Sequence, residues 1–393
     1  MKFLIIGYGA VGSVLVKLLL KEKEVKEIIC LDRKFFEKLD DKRVKMQIFD
    51  LKEKEKLIQL LIKENPNAII NASVPHFNKH IMECCVNAGT HYMDMASFWD
   101  LDPNPNAKVP YKMEQLDHHD EFKKKGFLGL IEAGVAPGLD NLFVAEAASQ
   151  LDEVDYIKIR MVEDTGSKEI FFSWNKDWLL DEIGSKPIIY ENGKFSFVPN
   201  FGAEEEYEFP APIGKKKTYY FCQDEVGSIP LYIKTKKLDV KIHDNNIEVS
   251  KLLLSLGFVS DKKINVDGVE VSPIRVLSKL LPDPIPGEEK KFPESIFAFA
   301  VEAIGKKNKK RRAIKYSVVF PRQKEIGKMG IGANFISYPT ALSAALFAMI
   351  IYKIQETGVH SPEVINKELR TKIISQLPKY KVKVYKKVYT PKK

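Results

Sequence analysis

Short apolar runs alternate with amphipathic stretches over the first 140 residues of the chain. The runs Phe3–Ile6, Ile28–Leu31 and Phe127–Ile131 have the length and composition of buried strands. Between the first two, residues 14–19 repeat apolar side chains at helical spacing. Strands that alternate with helices predict an α/β fold with a parallel, doubly wound sheet, and such sheets bind ligands at the carboxyl ends of their strands.

From about residue 151 the apolar pattern changes to a period of two, as in Tyr156–Val162. Turn signals at Asn192-Gly193 and Asp267-Gly268 separate such runs, which predicts an α+β domain with a mostly antiparallel sheet. The small-residue run Tyr338–Phe347 predicts a fully buried helix that packs back on the first domain. We therefore expect a first domain over residues 1–140, a second over 141–332, and a C-terminal helix and tail over 333–393. The tail is predicted to be a peripheral strand or a disordered end.

A glycine-rich turn, Gly7-Tyr-Gly9-Ala-Val-Gly12, follows the first predicted strand and opens the first predicted helix. Twenty residues after Gly12, the second strand ends in Asp32. In a Rossmann-type motif the first glycine permits the tight turn, the second lets the backbone approach a pyrophosphate, and the third allows close helix–strand packing. The helix N-terminus offers N–H groups to the phosphates, and Asp32 can accept hydrogen bonds from ribose hydroxyls. The pattern predicts a nicotinamide dinucleotide site; the alternative is a βαβ unit with an empty turn.

The residues after the second strand bear on which dinucleotide binds. Asp32 would repel a ribose 2′-phosphate, whereas the adjacent Arg33 could bind one, and we favour NAD(H) over NADP(H). Asp50 follows the third strand and could contact the adenine edge or cap the next helix. The cofactor contacts predicted from these patterns and from the loops after later strands are Gly7, Gly9, Ala10, Val11, Gly12, Asp32, Arg33, Asp50, Asn71, Ala72, Ser73, Pro75, Gly134 and Pro137.

The formal net charge of +9 raises the question of a nucleic-acid partner, but lysine and glutamate are interleaved along the chain. The one dense basic run, Lys306–Arg312, lies between two strand-like segments and predicts an exposed hairpin tip. Four cysteines without paired spacing favour a reducing compartment, and the apolar run Ala341–Tyr352 is too short to span a bilayer. We expect a cytosolic protein that binds a small molecule, with neither nucleic acid nor membrane as partner.

Nine segments in order along the chain resemble the saccharopine dehydrogenase family, which includes saccharopine reductases and carboxynorspermidine dehydrogenases. The resemblance covers nearly the whole chain, and it implies NAD(P)-dependent chemistry at a C–N bond. There a secondary amine loses hydride to the nicotinamide, and water hydrolyses the resulting imine to an amine and a carbonyl compound. It also implies a homodimer. The segments are Gly7–Gly12, Asn71–Pro75, Ala88–Asp94, Gly134–Leu139, Phe172–Trp174, Tyr190–Lys194, Leu254–Asp261, Leu280–Pro284 and Ser337–Thr340.

Two side chains are candidates for catalysis. Asp94 ends a predicted parallel strand, where a carboxylate could orient the substrate amine or accept its proton, or could cap a backbone turn. His76 could relay protons, or be an exposed histidine at a helix entrance. The run Asp117–Asp120 contains two adjacent histidines that point to different helix faces, so we expect no metal site.

Four further residues are candidates for binding the substrate. Glu132 and Asn141 flank the turn Gly134–Gly138. Arg160 lies on a strand of the second domain and could hold a substrate carboxylate, with the Trp174 indole as a weaker candidate.

The sequence leaves the substrate open. A saccharopine-type substrate is favoured over a carboxynorspermidine-type polyamine, which would require acidic residues at the polyamine end of the site. The run Glu204–Glu206 is the acidic run nearby, and a solvated loop explains it. A non-catalytic dinucleotide-binding sensor or scaffold is the alternative from another class.

Overall fold

The computed structural model describes residues 1–101, 111–167, 169, 175–281 and 288–391. Within these residues there are twenty strands and twelve α-helices. The strands are β1 Lys2–Ile6, β2 Glu27–Asp32, β3 Val44–Ile48, β4 Ala68–Asn71, β5 His91–Asp94, β6 Trp99–Leu101, β7 Tyr111–Met113, β8 Leu128–Leu130, β9 Glu153–Asp164, β10 Ile188–Glu191, β11 Lys194–Phe197, β12 Glu205–Phe209, β13 Gly214–Tyr220, β14 Lys237–Asp244, β15 Ile264–Val266, β16 Val269–Val271, β17 Ile296–Lys307, β18 Lys310–Val319, β19 Gly358–His360 and β20 Lys383–Tyr389. The helices are α1 Gly12–Leu19, α2 Lys54–Glu64, α3 Asn78–Ala88, α4 His119–Lys125, α5 Leu139–Ala148, α6 Lys176–Gly184, α7 Glu225–Tyr232, α8 Ile247–Ser255, α9 Pro273–Leu280, α10 Gln323–Gly327, α11 Ser337–Ala348 and α12 Lys367–Gln376.

The chain divides into two compact units. The first unit comprises Met1–Glu146, Gly227–Ile233 and Tyr338–Gln376, and the second comprises Ala147–Val226, Lys234–Ser337 and Leu377–Lys393. No helix within the described ranges has the length and apolar composition needed to cross a bilayer.

The first unit contains a seven-stranded sheet in the order β19-β8-β5-β4-β1-β2-β3, in which every pair of neighbours is parallel. Its buried core joins sheet residues such as Leu4 and Ile29 to helix residues such as Leu57 and Ile81. Because β2 and β4 lie on opposite sides of β1, the strand order reverses there, which creates a switch point where parallel sheets bind ligands. The prediction of a parallel, doubly wound sheet is confirmed.

The second unit contains a nine-stranded sheet in the order β11-β10-β14-β9-β17-β18-β20, with β13 joining β12 to β14. Its pairs are antiparallel except β9 with β14, as the period-two pattern predicts for a mostly antiparallel sheet. The basic run Lys306–Arg312 forms the β17–β18 hairpin tip, as predicted, and Lys306 and Lys307 pair there with Glu153 and Asp152.

The end of the chain divides between the two units. Helix α11 belongs to the first unit apart from Ser337, and its residues Ala341, Leu342 and Phe347 are fully buried, as the small-residue run predicts. The tail forms strand β20, which pairs with β18 of the second unit. Of the two alternatives for the tail, the peripheral strand is the one observed.

Candidate functional site

The glycine turn after β1 has two glycines that the fold itself requires. Gly7 has φ of 94°, and a Cβ on it would lie 2.7 Å from the carbonyl carbon of Ala72. A Cβ on Gly12 would lie 2.0 Å from the Gly7 carbonyl oxygen. A Cβ on Gly9, by contrast, would meet nothing within 4 Å. The exposed positions Gly9 and Ala10 and the half-buried Val11 therefore leave the turn open to a ligand.

Asp32, at the end of β2, lies beside this turn as the spacing predicts. Its Oδ2 accepts a hydrogen bond of 2.6 Å from the Tyr8 amide, and its Oδ1 accepts one of 3.3 Å from the Lys34 amide. The adjacent Arg33 is exposed. Asp50 follows β3, is exposed, and accepts a hydrogen bond from the Lys52 amide, so it caps a turn. These positions place a fixed carboxylate where an adenosine ribose would bind.

The loop after β4 packs against the glycine turn through Ala72. Asn71 is buried, and its Oδ1 accepts hydrogen bonds from the Ser73 amide at 3.0 Å and the Ser73 hydroxyl at 2.6 Å. Pro75 then opens a 3₁₀ turn. In that turn the exposed His76 ring lies 4.7 Å from the Phe98 ring. The structure thus brings the predicted residues Asn71–Pro75 together with the glycine turn.

Asp94, at the end of β5, is buried in a polar network. Its Oδ2 accepts hydrogen bonds from the Tyr92 hydroxyl at 2.8 Å and the Gln115 amide at 3.0 Å, and its Oδ1 accepts one of 2.8 Å from the Glu132 backbone. Burial and the Asp94 charge raise the pKa of Tyr92 well above its usual value. Glu132, which follows β8, is also buried and accepts a hydrogen bond of 2.9 Å from the Ser97 hydroxyl. These contacts support a role for Asp94 in holding the chain after β8.

The turn Gly134–Gly138 follows β8. The Gly134 amide donates to the Pro137 carbonyl at 3.0 Å, and a Cβ on Gly138 would lie 2.3 Å from the Gly134 carbonyl oxygen. The Gly138 amide donates to Asn141 Oδ1 at 2.8 Å. Asn141 is fully buried, so its amide holds the turn instead of projecting toward solvent.

Sequence reasoning missed two residues that contact Asn141. Its Nδ2 donates to Glu363 Oε1 at 2.8 Å and to the Ser228 hydroxyl at 3.1 Å. Glu363 follows β19 and Ser228 lies on α7, and both are buried. They lie 222 and 87 residues from Asn141 along the chain, so no local pattern could have linked them.

In the second unit, Arg160 is fully buried on β9 between two carboxylates. Its Nη1 lies 2.6 Å from Asp239 Oδ1 and its Nη2 lies 2.8 Å from Glu205 Oε2. Although burial opposes it, the charge of Arg160 helps lower the pKa of Glu205 to about 2. The expectation that Arg160 binds a substrate carboxylate finds no support in these contacts, since its guanidinium is already neutralised. Trp174 lies outside the described residues.

Four acidic residues of the second unit form a chain of electrostatic contacts that runs from Asp244 through Glu163 and Glu182 to Asp224. Glu163 and Asp244 are register partners at the ends of β9 and β14. Burial and the Asp244 charge raise the pKa of Glu163 to about 8. Burial, followed by the charges of Asp224 and Glu163, raises the pKa of Glu182 on α6. We call Glu163, Glu182, Asp224 and Asp244 the acidic cluster; their sequence separation hid it from sequence reasoning.

The sequence matches two protein-family models. The model of the saccharopine dehydrogenase NADP binding domain matches residues 3–130, and that of the saccharopine dehydrogenase C-terminal domain matches residues 134–382. Together they span most of the chain, in agreement with the resemblance seen in the motifs.

Two related proteins and one solved structure extend this comparison. The chain is 27% identical over 337 residues to carboxynorspermidine synthase of Vibrio alginolyticus, covering 83% of this chain and 79% of that protein. It is 23% identical over 375 residues to carboxyaminopropylagmatine dehydrogenase of Synechocystis sp., covering 92% of each chain. The structure matches apo saccharopine dehydrogenase (L-Glu forming) from Saccharomyces cerevisiae with a TM-score of 0.69 at 12% identity, covering 99% of this chain and 100% of that one. This last likeness concerns the fold alone.

Proposed function

The chain belongs to the saccharopine dehydrogenase family of NAD(P) oxidoreductases, and we propose that it acts at the C–N bond of a secondary amine. Dinucleotide binding is supported mainly by the turn at Gly9, where a Cβ would meet nothing within 4 Å and a ligand can approach the backbone. There the N-terminus of α1 can bind a pyrophosphate beside the fixed Asp32 carboxylate. The bound dinucleotide would supply a hydride acceptor or donor.

The names of the two related proteins favour a polyamine-type substrate over a saccharopine-type one. A protonated polyamine requires carboxylates, and Glu163 and Asp244, which are register partners on β9 and β14, can supply them once Glu163 loses the proton that its raised pKa retains. We therefore advance the carboxynorspermidine-type alternative as the substrate class.

The residues of the first unit would then have separate roles. Asp94 fixes the backbone of Glu132 and with it the chain that leads into the turn Gly134–Gly138. His76, which is exposed beside the loop after β4, is the candidate for exchanging a proton with the substrate or with water. Asp32 favours NAD(H), since a 2′-phosphate would meet its carboxylate.

The proposed function is tested by following absorbance at about 340 nm with NADH or NADPH in the presence of paired substrates. Turnover with an aldehyde and a diamine supports the polyamine-type substrate, whereas turnover only with lysine and 2-oxoglutarate supports the saccharopine-type substrate. Tight dinucleotide binding without turnover across the panel would refute the enzyme and favour a sensor or scaffold. A lower KM for NADPH than for NADH would refute the assigned cofactor preference.

We also propose a homodimer formed through an exposed apolar face of the second unit. In the segment from α8 to α9, which includes the β15–β16 hairpin, large apolar side chains face solvent. Helix α8 buries Ile247 and Ser250 instead of its leucines. Each of these side chains is at least 40% exposed, so together they offer the apolar surface that a dimer interface would bury. They are Leu252, Leu256, Phe258, Ile264, Val266, Val269, Val276 and Leu280.

The charges around this face fit a second copy of the chain. The exposed residues Lys262, Lys263, Asp267 and Glu270 carry both signs, so a two-fold axis can pair each sign with its opposite. Light scattering should give twice the mass of one chain, and Leu256→Asp should give a monomer. Ile62→Asp on α2, a residue equally exposed at 61%, is the matched control. A monomeric wild type would refute this assembly.

A further inference from the structure

Glu363 is a buried carboxyl group near the carboxyl ends of the parallel strands, where the dinucleotide is proposed to bind. It lies in the 3₁₀ turn Pro362–Val364, directly after β19, and is 7% exposed. Strand β19 runs parallel to β8, so Glu363 and the turn Gly134–Gly138 both follow carboxyl ends of neighbouring strands. If Asp32 on β2 binds the adenosine ribose, the nicotinamide half of the dinucleotide extends across β1 toward β4, β5 and β8.

The contacts of Asn141 make its amide orientation depend on Glu363. The Gly138 amide can only donate, and it donates to Asn141 Oδ1 at 2.8 Å and to Asp140 Oδ1 at 2.9 Å, so Asn141 presents its oxygen to the turn. The Asn141 Nδ2 must then find acceptors on its other side, and it finds Glu363 Oε1 at 2.8 Å and the Ser228 hydroxyl at 3.1 Å. The chain of hydrogen bonds therefore runs from the Gly138 amide through Asn141 to Glu363.

We propose that Glu363 is a positioning residue that acts through Asn141 to hold the Gly138 amide, and thereby shapes the turn Gly134–Gly138 for the dinucleotide. The inference rests on the proposed function of this edge as the cofactor site. Glu363 itself need not touch the cofactor, because its effect passes through the amide polarity of Asn141.

The ionisation of Glu363 is consistent with this role. Burial raises its pKa, while the hydrogen bond from Asn141 opposes the rise. Either form of the carboxyl presents an oxygen that accepts from Asn141 Nδ2. The neighbouring titratable groups are Tyr232 on α7, whose pKa burial and the Glu363 charge raise, and Asp140, which accepts a second hydrogen bond from the Gly138 amide.

A polarity swap tests the proposal. In Asn141→Asp the introduced carboxylate faces the Glu363 carboxyl, and the pair can remain bonded only while it holds a proton. The Kd for NADH, measured by fluorescence titration, should rise about tenfold between about pH 6 and pH 9 in this variant. Adding Glu363→Gln supplies an amide donor to the introduced carboxylate, so the double variant should return to within about twofold of wild type and lose the pH dependence.

Two single variants complete the design. Glu363→Gln keeps an oxygen for Asn141 and should bind NADH like wild type, whereas Glu363→Leu removes it and should weaken binding about tenfold. Glu368→Gln, an exposed site on α12, is the matched control. Wild-type affinity in Glu363→Leu, or a failure of the double variant to restore binding, would overturn the inference. A wild type that binds neither NADH nor NADPH would instead overturn the proposed function.

Discussion

Replacing Gly9 by alanine should weaken dinucleotide binding without destabilising the fold. The added methyl would meet nothing within 4 Å, and the backbone of Gly9 is not in the left-handed region. Since alanine also restricts the unfolded chain, the folded protein should keep its stability or gain about 0.4–1 kcal/mol. A pyrophosphate that approaches the turn closely would, however, be displaced by the methyl. Losing one charge-assisted N–H to phosphate hydrogen bond costs about 1.5–3 kcal/mol, so the Kd for NADH should rise about tenfold to hundredfold.

Gly12→Ala, by contrast, should destabilise the folded protein. Its Cβ would lie 2.0 Å from the Gly7 carbonyl oxygen, so helix α1 or the turn must move. Such a clash between backbone segments costs about 2–4 kcal/mol, which thermal unfolding should show as a lower Tm. Gly9→Ala is assayed by the same melt and by NADH fluorescence titration. If it binds NADH as tightly as wild type, the pyrophosphate does not lie on this turn.

The remaining predictions concern three ionisable residues. Arg160→Met should destabilise the protein by about 3–5 kcal/mol in denaturant unfolding, because Asp239 and Glu205 lose their shared cation; unchanged stability would contradict the structural role of this arginine. The pKa of Glu163 is raised to about 8, so wild-type stability should fall as pH rises from about 4.5 through 8, by at most about 5 kcal/mol. Glu163→Gln should remove that pH dependence, and parallel melts across this range check it. Asp94→Asn places an amide against hydrogen-bond donors and should lower stability by about 2–4 kcal/mol; a stable variant without turnover would favour proton transfer by Asp94 instead.

The parts of the fold that sequence reasoning predicted are those whose signals are local. Strand β1, the turn from Gly7 to Gly12 and helix α1 occupy adjacent residues, and Asp32 follows at a distance set by one βαβ unit. Period-two alternation likewise predicted the antiparallel second sheet, because alternation reflects one face of a strand at a time. These signals need no knowledge of what packs against them.

The residues whose roles the sequence could not assign depend on partners far away in the chain. An arginine on a strand looks like a substrate ligand until its neighbours are known, and Asp239, which neutralises Arg160, lies 79 residues away on β14. Glu363 reaches Asn141 across 222 residues, because β19 returns to the parallel sheet beside β8. In both cases the role of the side chain depends on which strands pair with each other. The sequence of one segment alone does not predict that pairing.

Strands β9 and β14 hold ionisable side chains in two different electrostatic environments only three residues apart. At Arg160 the guanidinium meets two carboxylates, and the pKa of Glu205 falls to about 2. Three residues further along β9, Glu163 faces Asp244, no cation pairs with Glu163 among the described residues, and its pKa rises to about 8. The fold thus pairs Arg160 with two carboxylates but raises the pKa of Glu163, and a cation supplied from outside would reverse that rise. If the polyamine proposal is correct, binding the amine should therefore lower the pKa of Glu163 and release a proton, and affinity for the amine should rise as pH increases toward 8. Affinity for the amine that does not change with pH over this range would place the ammonium groups elsewhere.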